Sequence, residues 1–221
     1  MPQKILPPLV LALALLTAVS GCVCRRPEAA VQRSSAGAAR PLFDGRTLTG
    51  WKITDFAGHG EVRVDKGRLI LEQGTMTGVT WTNDVPRLNY EISLEAMRVA
   101  GGDFFCGLTF PVGKDPCSFI VGGWGGGVVG LSSLDGEDAA HNETTKYMKF
   151  DNGRWYHLRV RVTGTEIQAW IDNEQVVNIV TADRGISIRV EVEPSTPLGI
   201  ATYATTGALR NIQLKTLPAA K

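Results

Sequence analysis

The residues best equipped for chemistry fall into three groups. The first is Gly122-Gly123-Trp124-Gly125-Gly126-Gly127, a single indole between residues without side chains. Such flanks would let a flat ligand, a sugar ring for instance, lie against Trp124 and the neighbouring backbone. A β-bulge or tight bend would use the same glycines. A phosphate loop is excluded, because the lysine and hydroxyl residue of a Walker motif are missing and no helix pattern follows.

The second group is Asp135, Glu137, Asp138, Asn142 and Glu143, held within one polar loop. Its four carboxylates and one amide could bind a divalent cation such as calcium, or act as acid and base on a sugar. The spacing is not that of an EF-hand, and a solvated acidic loop is the simpler account. The third group comprises two alternating strand patterns. Trp155, His157, Arg159 and Arg161, with Gln168 and Trp170, combine indole planes with fixed hydrogen-bond donors. Ser187, Arg189, Glu191 and Glu193 alternate with Ile186, Ile188, Val190 and Val192. Aromatic planes beside planar charged groups suit carbohydrate, by stacking on C–H faces and bidentate bonds to vicinal hydroxyls. Cross-strand ion pairs on a solvated sheet face are the plainer alternative. If both patterns share one concave sheet, Arg159, Arg189 and Glu191 are the expected substrate contacts. His59, His141 and His157 lack the paired spacing of zinc ligands, and no Gly-x-Ser-x-Gly elbow occurs.

The elements that must carry these groups are strands. From Leu42 onward the pattern has period two, broken by Gly, Pro, Asn and Asp about every ten residues, as in a sandwich or barrel. The clearest pair is 154–162 with 166–171, in which Tyr156, Leu158, Val160 and Val162 share one face with Ile167, Ala169 and Ile171 opposite. Asp172-Asn173-Glu174 turns the chain into a third strand, 176–180. Further strands are expected at 60–64, 68–71, 79–82, 90–99, 104–110, 118–122, 128–134, 186–192, 198–202 and 208–217. No stretch combines a 3.6-residue period with helix caps. The 221 residues, 43% of them hydrophobic, supply material for one sizeable core. Basic and acidic residues, 23 against 22, are nearly balanced and form no block, which excludes a nucleic-acid arm.

The first residues read as an address. Lys4 precedes an apolar run to Val19 that is too short for a transmembrane helix of about 20 residues and suits a signal peptide over 1–21. Val19-Ser20-Gly21-Cys22 resembles the bacterial lipobox, making Cys22 the expected lipid-bearing residue and the membrane a partner. Val23 in place of an aspartate favours the periplasmic face of the outer membrane under Gram-negative sorting rules. Residues 22–40 read as a tether with a reach of roughly 23 Å, leaving one β-sandwich domain over 41–218. Cys106 and Cys117 flank the turn at 111–116, and in an oxidising compartment a cross-strand disulfide between them is expected.

The domain opens with Leu42-Phe43-Asp44-Gly45-Arg46, then Leu48, Gly50, Trp51 and Lys52, and continues through Asp65-Lys66-Gly67-Arg68-Leu69, Trp81-Thr82 and Tyr90-Glu91-Ile92. Asn152-Gly153-Arg154-Trp155-Tyr156, Trp170-Ile171-Asp172-Asn173 and the closing Leu209-Arg210-Asn211-Ile212 follow in order. This series resembles the 3-keto-disaccharide hydrolase domain family over about residues 42 to 217. The resemblance implies an all-β, concanavalin A-like jelly-roll sandwich of two antiparallel sheets. It also implies hydrolase or lyase activity on oxidised glycosides at the cell envelope: a 3-keto group acidifies the adjacent C–H so that a base can expel the aglycone by elimination, with water adding later, and direct hydrolysis is the alternative. Glu191, Glu137 and Glu143 are the candidates for that base, with arginine or a bound cation stabilising the enolate. Trp124, Arg159, Arg161, Arg189, Trp170 and Asn142 are the candidates for sugar contact. The family's Glu-x-Gln strand corresponds here to Ser118-Phe119-Ile120-Val121-Gly122-Gly123-Trp124, which has neither carboxylate nor amide. That departure points to the alternative, a non-catalytic glycan-binding or surface-interaction module.

Overall fold

Alternation of apolar and polar residues, interrupted by turn formers, resolves into fifteen strands among the described residues. In chain order they are β1 (Arg40–Pro41), β2 (Trp51–Ile53), β3 (Val62–Asp65), β4 (Arg68–Leu71), β5 (Met76–Trp81), β6 (Tyr90–Gly101), β7 (Cys106–Val112) and β8 (Asp115–Gly123). There follow β9 (Val128–Ser132), β10 (Lys146–Tyr147), β11 (Trp155–Val162), β12 (Glu166–Ile171), β13 (Glu174–Val180), β14 (Gly199–Tyr203) and β15 (Thr205–Thr216). The computed structural model describes Gln3 and residues 37–219. The signal segment, Cys22 and most of the tether lie outside the described residues.

The strands form two antiparallel sheets. One has eight strands in the order β13-β12-β11-β6-β15-β4-β3, with β1 added against β15. The other has seven in the order β10-β9-β8-β7-β14-β5-β2. Neighbours that are distant in sequence, such as β6 between β11 and β15, are the long crossovers of a jelly roll. The core lies between the sheets. Ile92, Leu94, Leu158, Val160, Ile167 and Leu209 face Leu108, Phe110, Phe119, Val121, Leu131 and Ile200 in one buried cluster. Fixed alternation explains why each strand supplies every second residue to it.

The hairpin expected from the sequence forms, with Leu158 opposite Ile171 and Val160 opposite Ala169, so the apolar faces of its two strands coincide. Two expectations are corrected. Cys106 lies opposite Val121, whereas Cys117 lies opposite Phe110. Four residues of offset along the ladder separate the sulfurs by roughly 13 Å, beyond the ~7 Å Cα separation that a disulfide spans. Both are buried free thiols, and burial pushes each pKa up to about 12. They behave as small core hydrophobes.

The strand expected at 186–192 is also absent. Its main chain pairs only briefly, through Ile186 with Leu134 and Ser187 with Ser133, and then enters a 3-10 turn at Val190–Ser195. Pro194 and Pro197 lack the N–H groups a ladder needs. Val190 is 75% exposed and Val192 9%, so the two do not share a strand face. The turn packs over β5 and β14, where the Pro194 carbonyl accepts the Thr80 hydroxyl at 3.0 Å.

Candidate functional site

The outer face of the seven-stranded sheet carries a cleft of about 330 Å³, at the lower end of the ~300–1,000 Å³ range of ligand pockets. Its floor comes from β8 and β9. Cys117, Phe119 and Val121 point into the core, so Ser118 and Ile120 point out into the cleft, beside Ser132 of β9. Ser118 and Ile120 both belong to the stretch Ser118 to Trp124 that the resemblance sets against the family's Glu-x-Gln strand. One wall consists of Phe104 and Tyr203, stacked at 5.9 Å, with Met76 close by. The opposite wall is Arg189, Glu191 and Val192 from the segment that failed to form a strand.

Trp124 closes one end of the cleft and is 42% exposed. Its φ of +47° lies in the left-handed region, which a bulky side chain rarely adopts. The surroundings hold it there. Asp103 accepts the N–H groups of Phe104 at 2.8 Å and Gly125 at 3.0 Å. From beneath, the Arg98 guanidinium donates to the carbonyls of Gly126 at 2.8 Å and Gly122 at 3.3 Å. Gly122 has φ +80°, and a Cβ there would stand 2.5 Å from the Arg98 guanidinium and 3.0 Å from the Phe105 ring. The glycine cluster is therefore a tight turn, and it presents the Trp124 indole at the cleft.

Glu191 and Arg189 form a pair at 2.7 Å, and Arg189 also donates to Asp138 at 3.1 Å. The bond from Arg189 holds the Glu191 carboxyl below its ordinary value, and the same bond raises the Arg189 pKa. Partial burial would raise the Asp138 carboxyl, but bonds from His141 and the Ala140 N–H, with the Arg189 charge, hold it low. An ionised carboxylate, its neutralising guanidinium and an aromatic platform thus meet in one cleft.

The remaining expected site residues are elsewhere. Arg159, Arg161 and Trp170 stand on the outer face of the eight-stranded sheet, with the core between them and the cleft. There Arg159 stacks on Trp170 at 3.9 Å and both arginines pair with Glu91. The premise of one shared concave sheet is corrected, because β11 and β12 pair into the other layer. Asn142 is a structural residue. Its amide donates to the carbonyls of Leu131 and Asp138, and its oxygen accepts from Thr144. Glu143 pairs with Arg184, which also binds Asp135 at 2.5 Å. Glu137 is exposed and does not line the cleft. Among the described residues no three His, Cys, Asp or Glu side chains converge to hold a metal, and Asp135, Asp138 and Glu143 are matched instead by arginines and His141. This donor arrangement does not fit the oxygen cage of a calcium ion.

Sequence reasoning missed Arg98, Asp103, Phe104, Tyr203 and Ser132. For Arg98 a signal existed, since it follows Tyr90, Ile92, Leu94 and Ala96 at the next inward position of β6. A charge at a core position must satisfy something buried, here two glycine carbonyls. For the others no local signal exists.

The fold is a jelly-roll sandwich with a cleft over one sheet. The chain belongs to the 3-keto-alpha-glucoside-1,2-lyase-like domain family, whose profile matches residues 38–215. Among solved structures it is similar to a protein of Parabacteroides distasonis assigned as a glycosyl hydrolase. That likeness has 12% identity and a TM-score of 0.52, over 81% of this chain and 94% of the other. It is also similar to the Crh5 transglycosylase in complex with NAG, with 12% identity and a TM-score of 0.53, over 84% of this chain and 86% of that one. At these identities the likeness concerns the fold. No protein of curated function matches the sequence.

Proposed function

We propose that this is a carbohydrate-active domain that eliminates the aglycone from 3-keto-glycosides in the cleft over the seven-stranded sheet. The observation that carries the reading is the convergence of Glu191, Arg189 and Trp124 on that cleft, in a chain of a lyase-like family. Trp124 stacks on the sugar ring. The 3-keto group acidifies C2–H, and Glu191, kept ionised by Arg189, takes that proton to leave an enolate across C2, C3 and the C3 oxygen. Return of the electron pair re-forms the C3 carbonyl, creates the C1–C2 double bond and breaks the C1–O bond. The departing alkoxide recovers the proton from Glu191. An ordinary carboxylate suffices as base next to a ketone when the oxygen is stabilised.

A second reading, a glycan-binding module without turnover, is favoured by Ser118 and Ile120 at the outward positions of β8. Incubating the purified protein with 3-keto-trehalose or a 3-keto-glucoside separates the two. The lyase reading expects an unsaturated keto sugar and free aglycone in equal amounts. Binding that Trp124→Ala weakens by about 1 kcal/mol or more, with no product, would establish the module instead.

We further infer that Cys22 carries the lipid that holds the domain at the envelope, on the strength of the lipobox-like sequence. Cys22→Ala should shift the protein from the membrane to the soluble fraction and abolish incorporation of a labelled fatty acid. Unchanged labelling would refute the anchor.

A further inference from the structure

A row of hydroxyls crosses the outer face of the seven-stranded sheet. Thr80 of β5 stands opposite Gly199 of β14, Gly199 opposite Thr109 of β7, Thr109 opposite Ser118 of β8, and Ser118 opposite Ser132 of β9. Residues in register on neighbouring strands share a face, so these side chains line up across the sheet. Thr80 is satisfied by Thr54 and the Pro194 carbonyl. The Thr109 and Ser118 hydroxyls lie 2.9 Å apart. Ser132, at the end of the row, is only 1% exposed, and its Oγ has no hydrogen-bond partner among the described residues. A buried hydroxyl without a partner is a standing destabilisation, and this one sits on the cleft floor.

When Thr109 donates to Ser118, the Ser118 proton is free, so the floor presents two neutral O–H donors side by side. Arg189, the cation lining the cleft, has its terminal nitrogens engaged with Asp138 and Glu191. It is the counter-ion of the base rather than a free donor. We propose that Ser132, with Ser118 beside it, holds the C3 oxygen of the oxidised sugar and stabilises the charge there once the C2 proton has moved to Glu191. This assignment rests on the elimination reading above. Two hydroxyls that can both donate suit a carbonyl oxygen and the enolate oxygen that succeeds it, each of which only accepts. Fixed donors aimed at a developing oxyanion act mainly on the transition state.

The test is kinetic and uses the full chain. Ser132→Ala should lower kcat on a 3-keto-glucoside by about 10²-fold, with a smaller change in KM, as for loss of one oxyanion donor. Because no protein hydrogen bond is lost, its Tm should equal or exceed that of the wild type. Ser118→Ala should lower kcat in the same way. Wild-type kcat in both variants, or a change confined to KM, would overturn the assignment and leave the elimination reading standing. Activity lost together with a lowered Tm in both variants would mark a structural role and also overturn it. A wild-type protein that turns over no 3-keto-glycoside would overturn the elimination reading itself, and this assignment with it.

Discussion

Glu191→Gln should lower kcat for aglycone release from a 3-keto-glycoside by about 10²- to 10⁴-fold, the usual contribution of a positioned general base. Glutamine keeps the shape and an acceptor for Arg189 but cannot take the C2 proton. Arg189 retains Asp138 as a partner, so the wall of the cleft should persist and ligand binding should change little. Glu137→Gln and Glu143→Gln, which alter carboxylates outside the cleft, should leave kcat near the wild-type value. The pH profile supplies an independent sign. The bond from Arg189 depresses the Glu191 pKa, so the base is already ionised at its ordinary value of 4.5. The acidic limb of kcat/KM, which reports the free enzyme, should therefore fall below pH 4.5 and be lost in Glu191→Gln. A wild-type rate in that variant would remove Glu191 from the chemistry.

Phe105→Ala should be the most destabilising single substitution near the site. The ring is fully buried, edge-on to Phe150 at 5.2 Å, tilted against Tyr156 at 5.8 Å, with the Arg98 guanidinium 5.2 Å above it. Truncation removes the transfer energy and leaves a cavity, a cost of about 3–5 kcal/mol. For a domain of this size that corresponds to a Tm loss of roughly 6–20 °C. Function should suffer as well, because Phe105 and Arg98 together support Gly122 and the turn that holds Trp124. Phe105→Leu, which keeps most of the volume, should cost less and retain ligand binding. Thermal melts followed by near-UV circular dichroism decide the matter. A Tm within about 3 °C of wild type for the alanine variant would show that the cluster repacks.

Much of the architecture was legible locally. Period two between turn formers located β4, β12 and the apolar faces of β11 and β12, because alternation is imposed by the backbone of each strand alone. It failed at 186–192, where the alternation is present but Pro194 and Pro197 deny main-chain partners. It failed again for Cys106 and Cys117, where the turn was clear but the offset along the ladder was not.

The site divides in the same way. From the sequence alone came the all-β class, the family resemblance, the glycine-flanked Trp124 and the choice of Arg189 and Glu191, two residues apart in one segment, as candidates. Each depends on residues close together in the chain. Only the tertiary structure decided that Arg159, Arg161 and Trp170 belong to the opposite sheet, or that Ser118, Ser132, Asp103 and Tyr203 share a cleft with Glu191. A strand's alternation tells which residues lie on the same side. Which side faces the ligand depends on the sheet the strand joins, and that is set by partners more than a hundred residues away, as between β5 and β14.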